Sequence, residues 1–301
     1  MQTTPQPNSA RLLIVDGHAY AYRAFHAIRE LNAPDGSPTN AIYGFIKMLA
    51  RMHVAVRPTH QCVVWDGGLS AERMTALPEY KSQRPPMPGD LARQLPEIKA
   101  YLEAAQIPSF VNDGVEADDW IASQAACAAS CGAEVVIASA DKDFLQLVSP
   151  RIGLLNPNDK TETIWGAEQV RTKTGVEPEQ VVDWLSLIGD AVDNIAGVPG
   201  VGPKTATDLL KQFGSIDQIY ARPGEVKSER IRASLLATEA HVRRNQKLIR
   251  LPTDLPCAFD LDTLAVRPGD PQQLAPLFER WGFKTMLAQL ESAHSLQKEL
   301  L

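Results

Sequence analysis

Arg11-Leu12-Leu13-Ile14-Val15-Asp16-Gly17 is an unbroken apolar run that stops at an acid and a glycine. Flanked by polar residues and too short for a helix, it reads as a buried parallel strand with Asp16 at its carboxyl end. Gln61-Cys62-Val63-Val64-Trp65-Asp66-Gly67-Gly68 repeats the pattern with Asp66, and Glu134-Val135-Val136-Ile137-Ala138-Ser139-Ala140-Asp141 repeats it with Asp141. Between and around these runs, helical periodicity covers about 19–29, 40–54, 89–105 and 120–129. Strands alternating with helices predict an α/β fold with a mostly parallel central sheet flanked by helices. Such sheets bind ligands beyond the carboxyl ends of their strands, where all three terminal acids are expected.

The acids do not stop there. Glu116, Asp118 and Asp119 fall within four residues of Gly114-Val115-Glu116-Ala117-Asp118-Asp119-Trp120. One or two acids in a first helical turn are favoured by the helix dipole, but three in such a space repel one another. Asp141 and Asp143 form a pair two residues apart, and Asp190 and Asp193 an i,i+3 pair expected on one side of a helical turn. These nine carboxylates exceed the needs of a single ion and suit two or more hard divalent cations. One rival is a phosphatase-like hydrolase with Asp16 as nucleophile. It would need a second acid two residues on, where His18 stands as a structural residue. Another rival, a DNA-binding protein without catalysis, would not need nine acids.

Taken alone, the net charge of −6 argues against a polyanionic partner. Setting the nine acids aside from the total of 36 leaves 27 against 30 lysines and arginines, so the remaining surface is faintly basic. An apolar content of 44% supports a substantial core, and no apolar run is long enough to cross a membrane. Residues 1–10 read as a disordered lead-in without signal-peptide character. Cys62, Cys127, Cys131 and Cys257 form no CxxC pair, which fits a reducing, cytoplasmic setting.

Two segments are suited to phosphate. Tyr80-Lys81-Ser82-Gln83-Arg84 sets two cations beside an aromatic ring, able to hold a phosphate and stack a base. Ile195-Ala196-Gly197-Val198-Pro199-Gly200-Val201-Gly202-Pro203-Lys204-Thr205-Ala206 follows a helix expected to end near Asn194 and opens another at about 203–213. This helix-hairpin-helix lets backbone amides approach DNA phosphates without reading bases. A basic helix at 228–251, an irregular stretch at 252–271 and an amphipathic helix pair at 272–292 complete the chain.

Together these segments resemble the 5′-nuclease (flap endonuclease-like) superfamily, most of all the 5′–3′ exonuclease domain of bacterial DNA polymerase I. The resemblance rests on LLIVDGHAYAYRAFHA at 12–27, YKSQRPPMP at 80–88, VEADDW at 115–120, SADKDFLQLV at 139–148 and LIGDAVDNIAGVPGVGPKTA at 187–206. It implies a PIN-like, resolvase-like core at 11–180 with a helical arch near 70–106. A helical DNA-binding region at 181–301 would carry the hairpin at 187–213. The implied activity is two-metal hydrolysis of DNA at 5′ ends and 5′ flaps of branched, nicked or RNA-primed substrates, by a monomer that works beside a DNA polymerase. Asp16, Asp66, Glu116, Asp118 and Asp119 would surround one Mg2+ or Mn2+, and Asp141, Asp143, Asp190 and Asp193 a second. Lys81, Arg84 and Arg23 would be catalytic cations. Tyr80, Arg73, Gly197, Gly200, Gly202, Lys204 and Thr205 would contact DNA, with K+ at the hairpin. Two departures stand out. Gly67-Gly68-Leu69 replaces the family's Ala-Lys-Gly after the second strand acid, removing a basic contact, and Ala140 stands where glycine is usual.

Overall fold

The computed structural model describes residues 10–159, 161–256 and 260–299, with side chains described to 292. The expected lead-in, apart from Ala10, and Cys257 lie outside the described residues. Six strands form one sheet: β1 (Arg11–Asp16), β2 (His60–Trp65), β3 (Ser109–Val111), β4 (Glu134–Ala138), β5 (Ile152–Leu155) and β6 (Ile164–Trp165). Their order is β3-β2-β1-β4-β5-β6, and all pairs are parallel except β5 with β6. The parallel α/β expectation therefore holds, while the short strands β3, β5 and β6 add to the three visible in the sequence.

Strand alternation divides the core in two. Leu12 and Ile14 of β1 join Cys62, Val64, Val135 and Ile137 on one face, while Leu13 and Val15 join Val63 and Trp65 on the other. The second face is covered by α1 (Gly17–Ala27), α2 (Asn40–Val56), α4 (Gly89–Ala104) and α11 (Pro271–Trp281). The first is covered by α5 (Ala117–Ser130), α7 (Val181–Ile188), α8 (Pro203–Phe213) and α10 (Glu229–Ile249). The remaining helices are α3 (Ala71–Ala76), α6 (Ala167–Thr174), α9 (Ile216–Ala221) and α12 (Lys284–Glu299). Among the described residues no helix is long and apolar enough to cross a membrane.

Two local readings change. The helix expected to reach Asn194 stops at Ile188, where Gly189 takes φ +78° and a small antiparallel pair begins: β7 (Gly189–Asp190) with β8 (Ile195–Ala196). Asp190 and Asp193 thus face together across a tight hairpin rather than along a helical turn. In the stretch expected as an arch, α4 is a core helix, with Leu91, Ile98 and Leu102 buried against the α2 side. Only residues 70–88 remain to border the site.

Candidate metal centre and nucleic-acid interface

The backbone brings the nine acids to the carboxyl edge of the sheet. Asp16 ends β1 and caps α1, its Oδ1 accepting the Ala19 N–H at 3.0 Å, while its Oδ2 accepts the Ser139 hydroxyl at 2.9 Å from beyond β4. Asp66 follows β2; its N–H donates to His18 Nδ1 at 3.1 Å, which accounts for the histidine. Glu116 immediately precedes α5, with Asp118 and Asp119 in its first turn. Asp141 caps a 3-10 helix (Lys142–Leu147) and accepts the Asp143 N–H at 2.9 Å. Asp143, Asp190 and Asp193 each offer a carboxylate oxygen within 4.8 Å of the other two.

Four cations neutralise one side of this cluster. Arg73 reaches Asp119 through two nitrogens at 2.6 and 2.7 Å and Glu116 at 3.0 Å. Lys81 bonds Glu116, Arg84 bonds Asp193 at 2.6 Å and Lys142 pairs with Asp190 at 3.1 Å. Burial alone would raise the Glu116 carboxyl, but Lys81 and Arg73 overcome it and hold the group below its usual range. For Asp119 burial prevails, and the carboxyl is raised despite Arg73.

On the other side Asp16, Asp118, Asp141 and Asp143 have no ion pair among the described residues. Burial, reinforced by Asp141 and Asp66, pushes Asp16 up to about 6. Asp118 and Asp143 are driven well above the carboxylate range, first by desolvation and then by neighbouring aspartates, and Asp141 is also raised by desolvation. Asp143 Oδ1 is buried without a hydrogen-bond partner. An orphaned oxygen among mutually repelling carboxylates, with no sulfur or imidazole ligand in the set, fits a hard, oxygen-seeking divalent cation.

Several expected DNA contacts point elsewhere. Arg73 is buried, and its Nε donates to the Leu248 carbonyl at 2.8 Å, so it is a brace between the acids and α10 rather than a free phosphate contact. Tyr80 is only 4% exposed; its ring joins the core and its hydroxyl donates to Glu116 at 3.2 Å and Asp193 at 3.3 Å, which leaves no face for a base. Lys81 is buried too, with its backbone at φ +55° and its N–H on the Asp193 carbonyl at 3.2 Å. Arg84 keeps 41% of its side chain exposed. Arg23 is not brought to the acids but donates to the Asn158 side chain across a separate cleft. The sequence reading missed Ser139 and Lys142 as partners of the acids. For Lys142, the signal was its place between Asp141 and Asp143.

Past β8 the chain approaches itself closely. A Cβ on Gly197 would stand 2.4 Å from the Ile188 carbonyl oxygen, so only glycine fits. Gly200 turns at φ +82°, and Gly202 and Pro203 open α8. Pro199, Gly200, Gly202 and Lys204 are exposed and Thr205 is half-buried. Residues 199, 200 and 202–204 therefore present the loop and the start of α8 to solvent, where the free N–H groups of a helix's first turn can meet an anion.

An acid-lined edge on a resolvase-like parallel sheet, continued by a helical half with an exposed hairpin, is the construction of an α/β nuclease. Residues 11–175 match the N-terminal resolvase-like domain of 5′-3′ exonucleases, and residues 176–272 match their C-terminal SAM fold. The chain belongs to the 5′-3′ exonuclease family. It is 38% identical over 281 residues to a 5′-3′ exonuclease of Aquifex aeolicus, covering 93% of this chain and 95% of that one. It is 37% identical over 293 residues to DNA polymerase I of Bacillus caldotenax, covering 97% of this chain but 33% of the polymerase. The chain thus spans about a third of that relative's length. A structure of the 5′-exonuclease of T5 with bound zinc superposes with a TM-score of 0.67 at 26% identity, covering 81% of this chain and 90% of that one.

Proposed function

We propose that the chain hydrolyses DNA phosphodiester bonds at 5′ ends and 5′ flaps with the help of two or more Mg2+ ions, for which Mn2+ can substitute. The observation that carries this reading is the set of four recessed acids with no ion pair among the described residues, one of them with its buried Oδ1 (Asp143) unpartnered, inside a 5′-3′ exonuclease fold. The divalent ions bound in the T5 relative support it.

We assign Asp16, Asp118, Asp141 and Asp143 as direct ligands, with Asp66 at the edge and Asp190 and Asp193 closing the second position. Glu116 and Asp119 hold Arg73 and Lys81 beside the ions. Bound there, divalent cations would acidify water and polarise a phosphoryl oxygen. Arg84, paired with Asp193 and still 41% exposed, would offset the charge that grows on the scissile phosphate. The loop from Gly197 to Thr205 grips the duplex backbone, and a DNA polymerase, linked or separate, works on the same nick.

The test is cleavage of a 5′-labelled flap across a Mg2+ titration and in EDTA, with phosphate release measured in parallel. Mg2+-dependent oligonucleotide products are expected, and Asp66→Asn should abolish them while the DNA is still bound. Normal cleavage by that variant would remove Asp66 from the centre, and phosphate release alone would favour the phosphatase reading.

A further inference from the structure

A cleft of about 500 Å3 lies between α1, α2 and the turn after β5, apart from the acidic centre. Its floor is apolar: Ala24 and Ala27 of α1 line it with Met48 and Met52 of α2. The helices come close because Gly44 packs on Ala24, where an added Cβ would stand 2.9 Å from the alanine methyl. Arg23, Lys47 and Arg51 also line the cleft, as do Asp159 and Glu162. Both acids are engaged: Asp159 accepts from Thr161 and the Trp165 indole, and Glu162 pairs with Arg51. Arg23 donates to an uncharged amide oxygen of Asn158, and Lys47 is exposed without an ion pair among the described residues.

That contrast matters because the cations beside the acids are each held by a carboxylate. A polyanion nearing the acidic edge meets repulsion, and its neighbouring phosphates need cations that are not already paired. Helix α1 starts just after Asp16 and rises about 1.5 Å per residue, placing Arg23 on the order of 10 Å from that acid. A few nucleotides of a strand would cover this distance. The half-buried Met48 and the exposed Ala27, above the buried Ala24 and Met52, offer apolar surface for a base, and Arg23 and Lys47 a place for its phosphate.

We infer that the α1–α2 cleft is a nucleotide subsite, taking either one nucleotide of the strand beside the cut or the released 5′-mononucleotide. The inference rests on the proposed nuclease reading for the identity of its ligand.

Methyl-labelled methionine NMR tests it, with Ca2+ as the neutralising ion and two titrants, a short single-stranded oligodeoxynucleotide and a 5′-deoxymononucleotide. The Met48 and Met52 methyl signals should move ahead of the other methionines. Movement with the oligonucleotide marks a strand subsite, and with the mononucleotide alone a product subsite; either supports the inference. Ala27→Trp, an exposed position that would fill the cleft, should suppress the shifts. Lys47→Ala should lower the salt slope of oligonucleotide binding by about 0.7 and raise KM without lowering kcat. If neither titrant moves these methyls, or if the shifts survive Ala27→Trp undiminished, the subsite is refuted. Flap cleavage by the unaltered chain would persist in that case. Its absence from the unaltered chain is the separate failure of the nuclease reading.

Discussion

Asp16→Asn should stabilise the metal-free protein at neutral pH. Asparagine keeps an oxygen for the Ala19 N–H, and its amide can donate to the Ser139 hydroxyl, so both hydrogen bonds survive the change. What disappears is the ionisation. The rise of the Asp16 carboxyl from 3.8 to about 6 is caused first by burial and then by Asp141 and Asp66. At 1.36 kcal/mol per pH unit, ionising it costs the folded state roughly 3 kcal/mol relative to the unfolded chain. The sign follows from protons: the folded state binds more of them between 3.8 and 6, so stability is lost as pH rises through that window. Urea denaturation in EDTA should show the variant ahead by roughly 1–3 kcal/mol at pH 7.5, and by well under ~1 kcal/mol near pH 4. Saturating Mg2+ should narrow or reverse the gap, since binding stabilises the native state in proportion to affinity and the variant has one carboxylate ligand fewer. An Asp16→Asn protein no more stable than the parent at pH 7.5, or with an advantage equal at both pH values, would refute the account of the acidic centre as repulsion awaiting cations.

Arg73→Ala should destabilise the fold by about 3–5 kcal/mol, because it leaves the buried Asp119 carboxylate without a counter-ion and Glu116 with Lys81 alone; thermal melting in EDTA checks this, and an unchanged midpoint would remove Arg73 as a brace. Gly197→Ala should cost at least about 1–3 kcal/mol, since the new methyl meets backbone that cannot swing aside; a melting curve matching the parent's would show that the hairpin yields. Lys204→Ala should weaken duplex binding and reduce its salt slope by about 0.9, with little change for single strands; equal losses on both would place Lys204 outside a duplex grip.

The parallel frame was legible because β1, β2 and β4 are continuous apolar runs ending in acids, a pattern that sterics and burial make hard to fold otherwise. Strands β3, β5 and β6 were not, being two to four residues long, too short for alternation to register. The hairpin at 189–196 is not legible as one, because an i,i+3 acid pair is compatible with either backbone. What distinguishes them is the close approach of Gly189 and Gly197, a tertiary contact. That the acids gather at the strand ends was legible from their positions after apolar runs, but not which of them keep an unbalanced charge. That depends on Arg73, Lys81, Arg84 and Lys142 folding inward, and a basic residue on a loop carries no mark of the direction it will take. Tyr80 was misread for the same reason: an aromatic beside two cations suits a stacked base as well as a buried ring.

The short hairpin sets Asp193 only four residues before Gly197, and Asn245 ties its far strand to α7 by donating to the carbonyls of Ala196 at 2.8 Å and Ser186 at 3.1 Å. In the proposed reaction, one end of this piece belongs to the cutting edge and the other to the grip on the double helix. The link is covalent, short and pinned, so it works as a ruler: the spacing between where the duplex is held and where the strand is severed is a bond-length property of the chain. A single inserted residue between 193 and 197 would move the place of scission along the strand instead of merely slowing it.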